Sequence, residues 1–259
     1  MDLSLKGKTA LIGGSSQGIG LAGAIEIANL GADCVLLARN EENLKKAVAQ
    51  LNKHGRHDYL VADFSHPEQA SEVVSRFLQK KTVHILVNNS GGPVGGPILD
   101  ASPEVFIKAI SQHLICNQLL AQLVVPGMRN AGYGRIINII STSVKTPIPN
   151  LGVSNTTRWA VAAWAKTLAG EVAPYGITVN DVLPGSTITG RLKFLFETIS
   201  KQRDTTYEAI ANEWMSEIPM KRFGKVEEIA ALVAFLASPA ASYITGTAIP
   251  VDGGKTPCL

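Results

Sequence analysis

Three cysteines in 259 residues, Cys34, Cys116 and Cys258, are too few and too scattered for a disulfide framework or a thiolate metal site, so no metal is expected. Their odd number points to a reducing compartment, and the expected location is the cytoplasm. No stretch approaches the ~18 apolar residues of a membrane span. Residues 1–6 lack the apolar segment of a secretory leader. Blocks of like charge are missing. Net charge is +3 with Lys and Arg spread along the chain, so no nucleic-acid surface is expected. Internal repeats and linkers are absent as well. What remains is 46% hydrophobic, enough for a large core, and of a length suited to a single domain, residues 1–259.

Strand-like and helix-like patterns alternate. Apolar runs at 9–12, 33–37, 58–62, 85–87, 135–140, 177–182 and 248–251 are separated by helical patterns at 19–30, 41–53, 67–79, 103–130, 154–173 and 226–236. Most of the runs are apolar on both faces, as strands of a buried parallel sheet are. This rhythm predicts an α/β fold of Rossmann type, a doubly wound parallel sheet with helices on both faces. The 103–130 pattern is expected to bend near Pro126. Two segments break the rhythm: a Gly/Pro-rich loop at 91–97, and residues 187–221, which carry Phe194, Phe196, Tyr207 and Trp214. Both leave the carboxyl ends of strands, where open α/β sheets bind ligands. The second is expected to be an inserted substrate loop over a partly apolar pocket.

The first strand runs into Gly14, Ser15, Ser16, Gln17, Gly18, Ile19 and Gly20, and a helix follows at once. Glycines at this junction let backbone approach a pyrophosphate, with the first helical N–H groups facing the anion. The second strand ends at Arg39-Asn40, with no acid at its tip. A guanidinium there matches the 2′-phosphate of NADP(H). Ser15, Ser16 and Asn40 are expected to add neutral donors.

These residues are identified as those of a member of the short-chain dehydrogenase/reductase family, in the branch of 3-oxoacyl-[acyl-carrier-protein] reductases. The resemblance runs from about residue 5 to residue 254. Gly13-Gly-Ser-Ser-Gln-Gly-Ile-Gly20 resembles T-G-x3-G-x-G, with Gly13 in place of threonine. Asp63, followed by Phe64, stands where the family contacts adenine. Asn88-Asn-Ser-Gly91 resembles N-N-A-G, which implies Asn89 and Gly91 near the nicotinamide ribose. Pro184-Gly-Ser-Thr-Ile-Thr189 is similar to the turn that holds the carboxamide, implying Pro184, Gly185, Thr187 and Thr189. The resemblance implies seven strands in the order 3-2-1-4-5-6-7, NADP(H) as cofactor, and a homo-tetramer or dimer. It also implies a small carbonyl substrate, among them acyl thioesters.

The catalytic positions depart from the pattern. The family's Asn, Ser, Tyr and Lys correspond here to His113, Ser141, Ser154 and Arg158. A serine hydroxyl is a far weaker acid than a phenol, and arginine does not release its proton. Arg158 is left to bind ribose hydroxyls and to stabilise a developing alkoxide, and the two serines to hydrogen-bond that oxygen. The expected proton source is His113, Lys145 or water. A plainer reading of Ser154 is a small residue capping a helix that Asn155 begins. The leading function is an NADP(H)-dependent oxidoreductase that reduces a ketone or 3-oxoacyl carbonyl. An NADP(H) sensor or partner subunit, and a lyase or dehydratase, are the alternatives. The apolar 154–173 helix, with Trp159 and Trp164, is expected to support self-association.

Overall fold

The computed structural model describes residues 1–93 and 95–258; Val94 of the glycine-rich loop and Leu259 lie outside the described residues. The chain runs β1 (Thr9–Gly13), α1 (Gly18–Asn29), β2 (Asp33–Ala38), α2 (Glu41–Val48), β3 (Asp58–Val61), α3 (Pro67–Leu78), β4 (Ile85–Asn88), α4 (Pro103–Ile110), α5 (Cys116–Asn130) and β5 (Gly134–Ile139). It continues through α6 (Gly152–Val172), β6 (Ile177–Pro184), α7 (Gly190–Gln202), α8 (Tyr207–Ser216), α9 (Val226–Ala237) and β7 (Ala248–Val251). The strands form one parallel sheet in the order β3-β2-β1-β4-β5-β6-β7. This is the doubly wound order expected from the sequence.

Successive side chains on a strand face opposite ways, so the apolar runs feed two cores. Ile12, Leu36, Val87 and Ile137 pack with Ile27 of α1, Leu44 of α2 and Val233 of α9. Their neighbours Leu11, Leu37, Leu86 and Ile136 pack on the other face with Val74 of α3, Leu120 of α5 and Ala165 of α6. Each large aliphatic side chain fully buried this way contributes about 1.5–3 kcal/mol.

Several element ends differ from expectation, for local reasons. The helix expected over 41–53 stops at Val48. Asn52 Oδ1 accepts the N–H groups of His54 and Gly55, a turn that competes with helix. The 103–130 helix is interrupted at Ser111–Ile115 by a π turn, while Pro126 stays inside α5. The helix expected from Asn155 begins at Gly152, so Ser154 lies in its first turn and caps nothing. Asn155 instead pins the preceding loop, accepting from Ile148 N at 3.4 Å and donating to Ile148 O at 2.9 Å.

Because the strands are parallel, the carboxyl ends of β1, β2, β4, β5 and β6 share one edge. The strand order reverses between β1 and β4, which opens a crevice there. A polar ladder crosses the sheet just below this edge. Asn88 Nδ2 donates to Asn138 Oδ1, and Asn138 Nδ2 donates to Asp181 Oδ1, each at 2.8 Å between register partners. Burial pushes the Asp181 carboxyl up to about 7, against the opposing effect of the Asn138 bond.

Candidate active site

The turn after β1 is a cradle only glycine can form. Gly14 and Gly18 have φ of 55° and 61°, in the left-handed region. A Cβ on Gly14 would stand 2.5 Å from Asn89 O, and one on Gly20 would collide with Gly14 O. Asn89 Nδ2 donates to the carbonyls of Gly13 and Gly14, both at 3.2 Å, so Asn89 holds the turn itself. The Phe64 ring packs over Gly13, where a Cβ would come within 2.8 Å of it. Ser15 is fully buried. Its Oγ donates to Ile12 O at 2.7 Å and accepts from Leu37 N at 3.1 Å. The expected neutral donor to phosphate is therefore corrected: the Ser15 hydroxyl ties β1 to β2. Gln17 and Ser16 stay accessible, and Gln17 precedes α1 without capping it by a side-chain bond. The first N–H groups of α1, from Gly18 and Ile19 onward, meet no acid in that turn.

Arg39 is exposed at the end of β2 and forms no hydrogen bond or ion pair among the described residues. Its charge reaches Asp63. Burial opposes ionisation of Asp63, but the Ser65 N–H and hydroxyl and the Arg39 charge together hold its carboxyl below the usual range. Asn40 caps α2, Oδ1 accepting from Asn43 N at 2.8 Å, which leaves only its amide N–H groups as donors. The glycine cradle and the free guanidinium fit a dinucleotide with a 2′-phosphate.

At the other end of the crevice, Gly91 has open space where a Cβ would stand. Gly185 follows β6, and its N–H donates to Val251 O at 3.0 Å. A Cβ on Gly185 would lie 2.6 Å from the Asp252 side chain. Thr187 is buried with Oγ1 donating to Gly185 O, so it fixes the Pro184-Gly185 turn. Thr189 caps α7, Oγ1 accepting from Leu192 N at 3.2 Å. Its methyl lies 3.9 Å from where a Gly18 Cβ would stand, which sets the start of the 187–221 segment against the cradle.

Ser154 and Arg158 lie one turn apart on α6, and the segments next to His113 and Ser141 pack on that helix. The π turn that carries His113 packs on α6, as does the 3-10 turn Thr142–Val144 that follows Ser141. Ser141 Oγ accepts from Ser143 N at 3.1 Å and keeps its hydroxyl hydrogen free to donate. Ser154 is buried with no hydrogen bond to its Oγ among the described residues. Arg158 is only 9% exposed, and Nη1 donates to Ile139 O at 3.2 Å. No carboxylate pairs with it among the described residues. Burial, then the charge of Arg191, lowers its pKa to about 10, so it remains a cation near neutral pH.

His113 is buried, with Nδ1 and Ser90 Oγ 2.8 Å apart and Nε2 unpartnered. Burial, then the charges of Arg158 and Arg191, lowers its pKa to about 3. The ring is neutral near pH 7 and holds no imidazolium proton to give there. Lys145 lines a different cavity of about 260 Å3 with Lys166 and Asp181, and none of the four site residues lines that cavity. The sequence reading missed Arg191. It extends from the first turn of α7, where Nη1 donates to Gly92 O at 2.7 Å and Nη2 to Pro93 O at 3.1 Å. A cation in the first turn of a helix, where acids are favoured, was the available signal.

Residues 14–256 match the family model described as enoyl-(acyl carrier protein) reductase. Dehydrogenase/reductase SDR family member 4 of Sus scrofa is 34% identical over 256 residues, covering 96% of this chain and 88% of the relative. The chain belongs to the short-chain dehydrogenase/reductase family. Within that family its structure is similar to L-sorbose reductase from Gluconobacter frateurii, solved with NADPH and L-sorbose, with a TM-score of 0.94, 34% identity and all of both chains covered. It is also similar to an NADPH-dependent reductase involved in bacilysin biosynthesis, with a TM-score of 0.91, 30% identity, and 97% and 99% of the two chains covered. Together with the cradle and Arg39, these relatives support NADP(H) as the cofactor of this short-chain dehydrogenase/reductase. No helix among the described residues is long and apolar enough to cross a membrane.

Proposed function

We propose that this protein is an NADP(H)-dependent reductase of a ketone or 3-oxoacyl carbonyl, working without a phenolic proton donor. The observation that carries the reading is Arg158, a buried cation with no acid partner among the described residues, one helical turn from Ser154 on α6 and bonded to Ile139 O at the end of the strand that leads to Ser141. When bound, NADPH supplies a hydride to the carbonyl carbon. Ser141 donates a hydrogen bond to the carbonyl oxygen, and Ser154 is the second donor. Arg158 binds ribose hydroxyls and stabilises the negative charge that develops on that oxygen. Arginine holds its proton, so the proton that completes the alcohol comes from water. His113, neutral and fixed by Ser90, positions that water through its free ring nitrogen. The 187–221 insertion covers the substrate. Phe196 packs on Tyr207 and Trp214 within the insertion, and on Phe223 just beyond it, which gives the lid its own packing. Self-association belongs to this reading, because α6 leaves Trp159 48% exposed.

The test is NADPH oxidation by purified protein with a panel of ketones and 3-oxoacyl thioesters. Arg39→Ala is expected to weaken NADPH binding about 10- to 100-fold, the loss of charge-assisted hydrogen bonds worth about 1.5–3 kcal/mol, and to leave NADH binding unchanged. An unaltered NADPH-to-NADH preference removes the 2′-phosphate assignment. The exchange of Tyr and Lys for Ser154 and Arg158 favours a second reading, an NADP(H) sensor. Tight NADPH binding with no turnover across the panel selects it.

A further inference from the structure

Arg191 adds to Arg158 a second cation that the cofactor binding and carbonyl polarisation assigned to Arg158 do not require. Arg191 stands at the electropositive end of α7, in a first turn that holds no acid. The residue is exposed, yet its guanidinium is desolvated where it meets the 91–97 loop, which lowers its pKa. Its two bonds there are to neutral carbonyls, Gly92 O and Pro93 O. A guanidinium has five N–H groups, so donors remain. Arg158 is nine-tenths buried and has a single bond to a backbone carbonyl. The Arg191 charge acts on Arg158, and both act on His113, whose ring is held 2.8 Å from Ser90, two residues before Gly92, and whose Nε2 is buried and unpartnered. Like charges held together in a partly dry site repel, and no counter-ion is supplied by the described residues.

The cofactor's pyrophosphate does not answer this, since its place is the Gly14–Gly20 cradle at the start of α1. The two bonds of Arg191 go instead to the loop that leaves β4. Its bonds join Gly92 and Pro93, which follow β4, to the segment that follows β6, the two places where open α/β sheets bind ligands. We infer that the substrate is an oxo acid, a ketone bearing a carboxylate that is bound by the Arg191 fork with the Arg158 charge behind it. This rests on the reductase reading and adds the substrate's charge to it. A carboxylate matches a guanidinium fork in a bidentate pair and removes the repulsion between the two arginines.

The experiment compares short 2-oxo and 3-oxo acids with their ethyl esters, using the NADPH-loaded protein. The acids are expected to exceed the esters at least tenfold in kcat/KM. Arg191→Gln is expected to bring that ratio to about one, mainly through KM, while Arg191→Lys, which keeps the charge but loses the fork, retains only part of it. If Arg191→Gln lowers acid and ester alike, Arg191 only pins the loop and the inference is overturned. If it weakens NADPH binding in direct titration, the anion is a cofactor phosphate and the inference is equally overturned. If no carbonyl is turned over, the reductase reading fails by itself. Calorimetric titration of the matching hydroxy acids and esters into the protein with NADP+ then decides. Binding of acids alone, lost in Arg191→Gln, sustains the carboxylate site; any other result ends it.

Discussion

Asp181→Asn should stabilise the protein at alkaline pH and leave it unchanged in acid. The Asp181 carboxyl is 3% exposed, accepts one bond from Asn138 and has no cation in an ion pair with it among the described residues. Burial raises it from 3.8 to about 7. The folded state therefore holds this proton more tightly than the unfolded chain does. The stabilisation from the neutral acid is complete below pH 3.8 and is lost as pH rises through about 7. At 1.36 kcal/mol per pK unit, the ionised carboxylate costs the folded state up to about 4 kcal/mol. An amide keeps the oxygen that Asn138 needs and cannot ionise. For a chain of this size, about 2–4 °C accompany each kcal/mol, so Tm of the variant should exceed the native value by up to about 8–16 °C at about pH 8. The gain is smaller to the extent that Lys145 and Lys166, on the same cavity, offset the charge. Thermal melts of both proteins between about pH 5 and 8 provide the assay. Parallel Tm curves across that range would refute the reasoning, because they would mean that Asp181 is not held neutral.

Two further outcomes follow from the site. Ser15→Ala strips two bonds and leaves the buried Leu37 N–H without an acceptor, so a loss of about 1–3 kcal/mol is expected in denaturant unfolding; a change near zero means the hydroxyl does not tie β1 to β2. The neutral state of His113 predicts no ionisation step from it in kcat between about pH 6 and 8. A step in that window that disappears in His113→Gln contradicts the assignment of a neutral ring.

The cradle and Arg39 were legible in the sequence because each depends on near neighbours in the chain. Glycine at 14 and 18 is dictated by the backbone angle at that very residue, and Arg39 by its place at a strand end. The strand runs were legible for a similar reason, since burial on both faces demands apolar residues at every position. Arg191 was not legible, because its partners Gly92 and Pro93 lie 99 and 98 residues away. The ladder Asn88–Asn138–Asp181 was hidden in the same way. Its members are ordinary polar residues until strand register sets them side by side.

By itself, then, the sequence determined the order of the strands and of the helices outside 187–221, the dinucleotide cradle, and the exchange of Tyr and Lys for Ser154 and Arg158. Only the tertiary structure decided what each polar group is free to do. Packing committed the Ser15 hydroxyl to β1 and β2, made His113 neutral, placed Lys145 on another cavity, and set the charges of two arginines, neither with an acid partner among the described residues, on one histidine. Periodicity and glycine sterics are properties of adjacent residues. Desolvation and hydrogen-bond partnership are set by segments far apart in the chain, and they exist only once the sheet has assembled.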